Sequence, residues 1–150
     1  MTDVVIRAAL PAERSSLEAL QWRASLANAG DRHSLLANPD AIALPGEHIA
    51  DGHVFVAERE GAIVGFAAIL PRPDGNAELD ALFVDPGLWK GGVGRMLVDH
   101  CTQVARGRAS RIMHVVGNPH AQRFYAACGF RITGTVNTRF GAGLLMQREL

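Results

Sequence analysis

A chain of 150 residues, 48% hydrophobic and 20% charged, is long enough to close one core and too mixed for a disordered or fibrous protein. Fifteen basic residues balance fifteen acidic ones, which argues against life on nucleic acid, and no apolar run approaches the roughly 18 residues of a membrane span. The stretch Met1-Thr2-Asp3-Val4-Val5-Ile6-Arg7 offers no basic leader before a long apolar run, so the expected location is the cytoplasm.

In chain order, Asp3 to Ala8 reads as a strand, and Pro11 opens a helix with Leu17, Leu20, Ala24 and Ala27 at helical spacing. The segment from Asp31 to Asp51 is broken by Pro39, Pro45 and Gly46, so a short helix and a mobile loop are expected there. His53 to Arg59 and Ala62 to Leu70 form two β-rich runs around the hairpin signal Glu60-Gly61. Pro71 to Asn76 is a turn, and Ala77 to Val84 the next strand. A helix over Gly92 to Arg106 sets Val93, Met96, Leu97, Cys101 and Val104 on one face. Ile112 to Val116 is a strand, Asn118 to Cys128 a helix stopped at Gly129, and Phe130 to Val136 and Gly143 to Arg148 are the last strands. With no repeat, low-complexity tract or linker, residues 1–150 read as a single domain.

Charge is unevenly spread along this order. Residues 1–90 hold 7 Lys and Arg against 13 Asp and Glu, and residues 91–150 hold 8 against 2, net charges of −6 and +6 by subtraction. Such a bias suits an anionic ligand on the second segment and a cationic one on the first, although folding can scatter it. Cys101 and Cys128 lack metal-like spacing and sit in apolar helical patterns, so both are expected as reduced, buried thiols.

The stretch from Leu82 to Leu97 carries the chemistry. Asp85-Pro86 ends a strand, and Gly91, Gly92 and Gly94 remove side chains where the backbone turns into a helix. Amides at a helix start point outward with about half a positive charge, so a phosphate or pyrophosphate is the natural occupant, with Lys90 and Arg95 able to add charge. Two familiar phosphate motifs do not fit. Gly94-Arg95-Met96 lacks the Gly-Lys-Ser/Thr ending of a P-loop, and Gly92-Val93-Gly94 is followed three positions later by Leu97, breaking the dinucleotide fingerprint.

Two motifs together resemble the GNAT superfamily of acyl-CoA-dependent N-acetyltransferases. Val84-Asp85-Pro86 followed by Trp89-Lys90-Gly91-Gly92-Val93-Gly94 is similar to the first signature, with Trp89 where Gln or Arg is usual. Asn118-Pro119-His120-Ala121-Gln122-Arg123-Phe124-Tyr125, running on to Gly129-Phe130, is similar to the second. The resemblance implies an α/β (α+β) fold with a mixed, mostly antiparallel central sheet, a split between two parallel strands and helices on both faces. It implies acetyl-CoA as co-substrate, no metal, and direct transfer to a primary amine. The pantetheine arm would pair with Leu82, Phe83 and Val84, the pyrophosphate would sit on the amides of Gly91, Gly92, Val93, Gly94 and Arg95, and Trp89, Lys90, Asn118 and Tyr125 would complete the cofactor contacts.

Tyr125 is expected as the acid that protonates the departing thiolate, against the plainer reading of a core tyrosine. Glu78 is ranked first as the base, acting through water, with Asp80 two residues along the same strand face as the alternative or as an orienting group. Asn118 caps its helix and can also bond the arm. Trp22, Arg32, His33 and His48 lie in the irregular segment that usually covers the acceptor in such proteins. His100, His114 and His120 show no metal-ligand spacing, and the basic cluster Arg106-Gly107-Arg108 with Arg111 reads as a solvated loop. The acceptor is expected to be a small-molecule amine, with no nucleic acid or membrane partner and with homodimer formation open. Alternatives are a non-catalytic acyl-CoA-binding or regulatory module, and an acetyltransferase acting on a protein amino terminus or lysine.

Overall fold

In a computed structural model, which describes residues 3–38, 40–138 and 141–150, seven strands form one sheet in the order β1-β2-β3-β4-β5-β7-β6. The strands are β1 (Val4–Ala8), β2 (Val54–Arg59), β3 (Ala62–Pro71), β4 (Ala77–Val84), β5 (Ile112–Gly117), β6 (Arg131–Thr138) and β7 (Gly141–Glu149). The helices are α1 (Arg14–Ala27), α2 (Ala29–Ala37), α3 (Gly46–Ala50), α4 (Val93–Gly107) and α5 (Gln122–Ala127). The β4–β5 pair is parallel, while β1–β2, β2–β3, β5–β7 and β6–β7 are antiparallel, so the mixed, mostly antiparallel sheet expected from the resemblance is present.

The chain folds as two compact units. One holds the residues up to Ala68 together with Ala81–Val98, the other Ile69–Asp80 with Asp99 onward. In the first, α1 buries Leu17, Leu20 and Ala24 at one-face spacing. A core of Leu17, Leu20, Leu44, Ile49, Val54, Val56, Phe66 and Ala68 closes around them. The β2–β3 hairpin turns at Glu60 and Gly61, whose φ angles of 52° and 80° are what a two-residue hairpin turn requires at both central positions. Glu13, on the short 3-10 turn at Pro11–Glu13, accepts from the Leu10 amide at 2.8 Å and from Arg7 at 2.7 Å, and Arg7 also reaches Glu58 at 2.8 Å. These bonds tie β1, the turn and β2 together.

In the second unit the Asn76 side-chain oxygen accepts from the amides of Arg111 and Ile112, each at 3.2 Å. That clamp fixes the start of β5 beside the start of β4, where Ala77 pairs with Met113 and Glu78 with His114. The parallel ladder consists of those two pairs. On the other side β5 continues with β7 from Ile112↔Glu149 to Gly117↔Leu144.

Three local expectations change. The irregular segment contains two helices, α2 and α3, rather than one; Pro39 lies outside the described residues. The helix expected over Asn118 to Cys128 begins as a 3-10 turn at Pro119–Ala121 before α5. Met96 is 39% exposed, and α4 instead buries Val93, Leu97, Val98, Cys101, Thr102 and Ala105. A stripe read with 3.6-residue periodicity admits Val98 and Thr102 as readily as Met96 and Val104, and only packing chooses between them.

Candidate functional site

In the first unit, β4 leads from Leu82, Phe83 and Val84, all half-buried, into a loop shaped by its own polar groups. The Asp85 amide donates to the Val64 carbonyl at 2.8 Å, and the Asp85 carboxylate accepts from the Gly87 amide at 3.0 Å. Trp89 is 47% exposed, and its indole N–H donates to the Val84 carbonyl at 2.9 Å. The side chain that departs from the family pattern thus braces the loop on the strand that precedes it.

The turn into α4 uses two left-handed residues, Lys90 at φ 69° and Gly92 at φ 87°. A side chain at Gly92 would be strained by that φ, although a Cβ there would meet nothing within 4 Å. The Gly91 amide donates to the Leu88 carbonyl at 3.1 Å, and a Cβ on Gly91 would lie 3.0 Å from the same oxygen. Gly91 therefore shapes the turn and spends its amide inside it. Among the described residues, no acceptor meets the amides of Gly92, Val93, Gly94 or Arg95, while the Gly92 carbonyl takes the Met96 amide at 3.0 Å. Four outward amides at the start of a 15-residue helix form a cradle that fits an anionic diphosphate, one residue later than the range read from the glycines.

Trp22 is half-buried on α1, Arg32 and His33 are exposed on α2, and His48 is half-buried on α3 with Nδ1 buried. The structure leaves these acceptor candidates on three different helices of the same unit.

In the second unit, Glu78 is half-buried and Asp80 exposed on β4. Arg72 lies 4.0 Å from Glu78 and 3.2 Å from Asp74. Asn118 caps the turn at Pro119 by accepting from the His120 amide at 2.9 Å, as its position before a proline predicts. Tyr125 is 8% exposed. Its ring meets Phe124 and Phe130 edge-on at 5.2 and 5.5 Å, and burial pushes its phenol up to about 12.

Two backbone features hold that ring. Gly129, at φ 91°, ends α5 with its amide on the Ala126 carbonyl and the Phe130 amide on the Tyr125 carbonyl, both at 3.0 Å. This double closure brings Phe130 back over the Tyr125 ring. Gly117 clears space as well, since a Cβ there would meet the Met146 methyl and come within 3.2 Å of Tyr125 Cε2.

His114, set aside for want of metal spacing, stands level with Glu78 in the parallel register. Burial and Arg72 hold its imidazole below the usual histidine range, against the opposing pull of Asp74 and Glu78. A polar residue within each of two apolar strands was the available signal, but only strand pairing shows that the two coincide. Cys101 and Cys128 are buried, and burial pushes the Cys101 thiol up to about 12, so Cys101 is unsuited to carry an acyl group. Among the described residues, no group of three or more His, Cys, Asp or Glu is placed to hold a metal, and no helix is long and apolar enough to cross a membrane.

Residues 15–130 match the model of the acetyltransferase (GNAT) family. An uncharacterised N-acetyltransferase of Mycobacterium tuberculosis is 36% identical over 104 residues, 65% of this chain and 67% of that protein. The peptidyl-lysine N-acetyltransferase YjaB of Salmonella typhimurium is 29% identical over 114 residues, 75% of this chain and 74% of that protein. Among solved structures, the PaiA N-acetyltransferase of Thermoplasma acidophilum, in complex with coenzyme A, matches with a TM-score of 0.80 at 15% identity over 99% of each chain. The last likeness is one of fold.

Proposed function

Because the chain belongs to the GNAT family of acetyltransferases, we propose that it moves an acetyl group from acetyl-CoA directly to a primary amine. The observation that carries this reading is the row of outward amides from Gly92 to Arg95, at the foot of a strand and beside two basic side chains. Such a row suits the diphosphate of coenzyme A. Leu82, Phe83 and Val84 offer strand backbone to the pantetheine arm, and Asn118, beyond its capping bond, has a side-chain amide able to donate to it. Acetyl-CoA itself supplies an activated acetyl thioester.

An amine acceptor arrives largely as ammonium and must lose a proton before it can attack. Glu78 takes that proton, directly or through one water, and Asp80 helps orient the cation. As the nitrogen–carbon bond forms and the carbon–sulfur bond breaks, Tyr125 gives its phenolic proton to the departing sulfur and regains one from solvent. A phenol near 12 is protonated at neutral pH, so a proton is present there to give. The buried thiols favour direct transfer over a covalent acyl-enzyme.

For the acceptor, likeness to a peptidyl-lysine acetyltransferase supports a lysine ε-amine beside the small-molecule amine first expected. The test is release of free thiol from acetyl-CoA across a panel of small amines, an amino-blocked lysine peptide and a free-amino-terminus peptide without lysine. Turnover of a panel member supports the transferase and selects its acceptor class. Acetyl-CoA binding with no turnover on any of them replaces it by a binding module.

A further inference from the structure

Building on the assignment of Glu78 as base, we propose that His114 is the second station of the proton path, taking onto its imidazole the proton that Glu78 removes from the acceptor. Residues paired in a parallel ladder share a face, with strands about 4.8 Å apart, and Glu78 and His114 are such a pair at the point where the β4–β5 ladder ends. Both are half-buried between buried neighbours, Ala77 and Leu79 on β4 and Met113 and Val115 on β5. His114 Nε2 is buried and, among the described residues, meets no hydrogen-bonding partner. A buried ring nitrogen left in that state is costly, and a carboxyl proton from its ladder neighbour would satisfy it.

The surrounding charges fit an acceptor of protons. Burial and Arg72 hold the imidazole below its ordinary range, while Asp74 and Glu78 pull the other way and favour the imidazolium once a proton arrives. Asp80 is exposed on the same face of β4. On β7 the cross-strand neighbour of His114 is the uncharged Gln147, with Glu149 two residues along. Arg72 approaches Glu78 only to 4.0 Å and is closer to Asp74, which leaves the Glu78 carboxylate available.

The path balances without any redox partner. An ammonium N–H bond breaks as a Glu78 O–H bond forms; a side-chain rotation brings that carboxyl to Nε2, where the O–H bond breaks as the Nε2–H bond forms; the reverse rotation opens the ring to solvent and the imidazolium gives one proton back to water. Passing the proton on to the imidazole leaves Glu78 anionic during attack.

Two measurements test this. In an NMR titration of the ligand-free protein, with the imidazole signals of the wild type assigned by triple-resonance spectroscopy, the His114 imidazole should titrate below the usual range. Glu78→Gln should lower the midpoint further, because a carboxylate that favours the imidazolium is gone; an unmoved midpoint overturns the relay even if His114→Asn fails to fold. In steady-state kinetics with acetyl-CoA and the panel amine turned over fastest, His114→Asn should lower kcat roughly 10- to 100-fold. KM for acetyl-CoA should not change, and the acidic limb of the pH profile due to His114 should vanish. The double variant with Glu78→Gln should be no slower than Glu78→Gln alone. If Glu78→Gln is slow but His114→Asn keeps wild-type rate and limb, the relay falls and the base stands. If Glu78→Gln runs at wild-type rate, the base assignment falls and takes the relay with it.

Discussion

The Tyr125 ring is held edge-on against Phe124 and Phe130, with its place cleared by Gly117, so replacing the phenol by phenyl keeps the packing and removes one proton. Tyr125→Phe should change stability by less than about 1.5 kcal/mol, as a volume-conserving swap in a tight site does. As an acid it should lose about 100-fold in kcat with the KM for acetyl-CoA nearly unchanged. Equal losses of kcat and of acetyl-CoA affinity, measured by steady-state kinetics and calorimetry, would assign Tyr125 to packing. A second signature is pH. Because the phenol lies near 12, its ionisation should bring no loss of kcat around pH 10, the range in which an unshifted phenol would lose its proton.

At the scale of elements, the junction of β1, the Pro11 turn and β2 depends on the Arg7 pairs with Glu13 and Glu58. The bond from Arg7 holds the Glu13 carboxyl below its ordinary 4.5. A depressed carboxyl stabilises the fold fully above its unfolded pKa, and the benefit is lost as pH falls through the folded value. Glu13→Gln keeps an amide oxygen for the Leu10 amide and loses the charge paired with Arg7, so it should cost up to about 1 kcal/mol at neutral pH, the scale of a partly exposed pair. The gap to wild type should close as urea midpoints are taken below pH 4.5. A gap independent of pH would mean that shape, not charge, holds the junction. Much of this level was legible in the residues themselves. Glu60-Gly61, Pro71 to Asn76, Asn118-Pro119 and Gly129 all stand where the backbone needs a turn, a cap or a left-handed residue, and those needs are local. What was not legible is set by pairing and packing. The Gly91 amide is consumed by Leu88, Met96 gives way to Val98 and Thr102 on the buried face of α4, and Glu78 is brought level with His114 by an Asn76 clamp on residues 35 and 36 positions away.

At the scale of the molecule, the family match over residues 15–130 draws on both compact units, and we propose that the 150 residues unfold and bind as one domain. A ligand that binds only the folded state stabilises it by about 2.7 kcal/mol at one hundred times its Kd, which for a chain of this size raises Tm by roughly 5 to 10 °C. Coenzyme A should produce that rise. Gly94→Val, which places a branched side chain in the row of outward amides, should keep a Tm within a few degrees of wild type without ligand and show no rise with it. An unchanged rise in folded Gly94→Val would move the diphosphate elsewhere. The two thiols report on the second unit alone, since Cys101 and Cys128 both belong to it and both are buried. They should react with an alkylating reagent only when that unit opens. If the chain is one cooperative domain, saturating coenzyme A slows their labelling by the same factor, about 100-fold, that it adds to the folding equilibrium. A raised Tm with unchanged labelling would mean that the second unit opens without releasing the ligand, and the single-domain reading would fall.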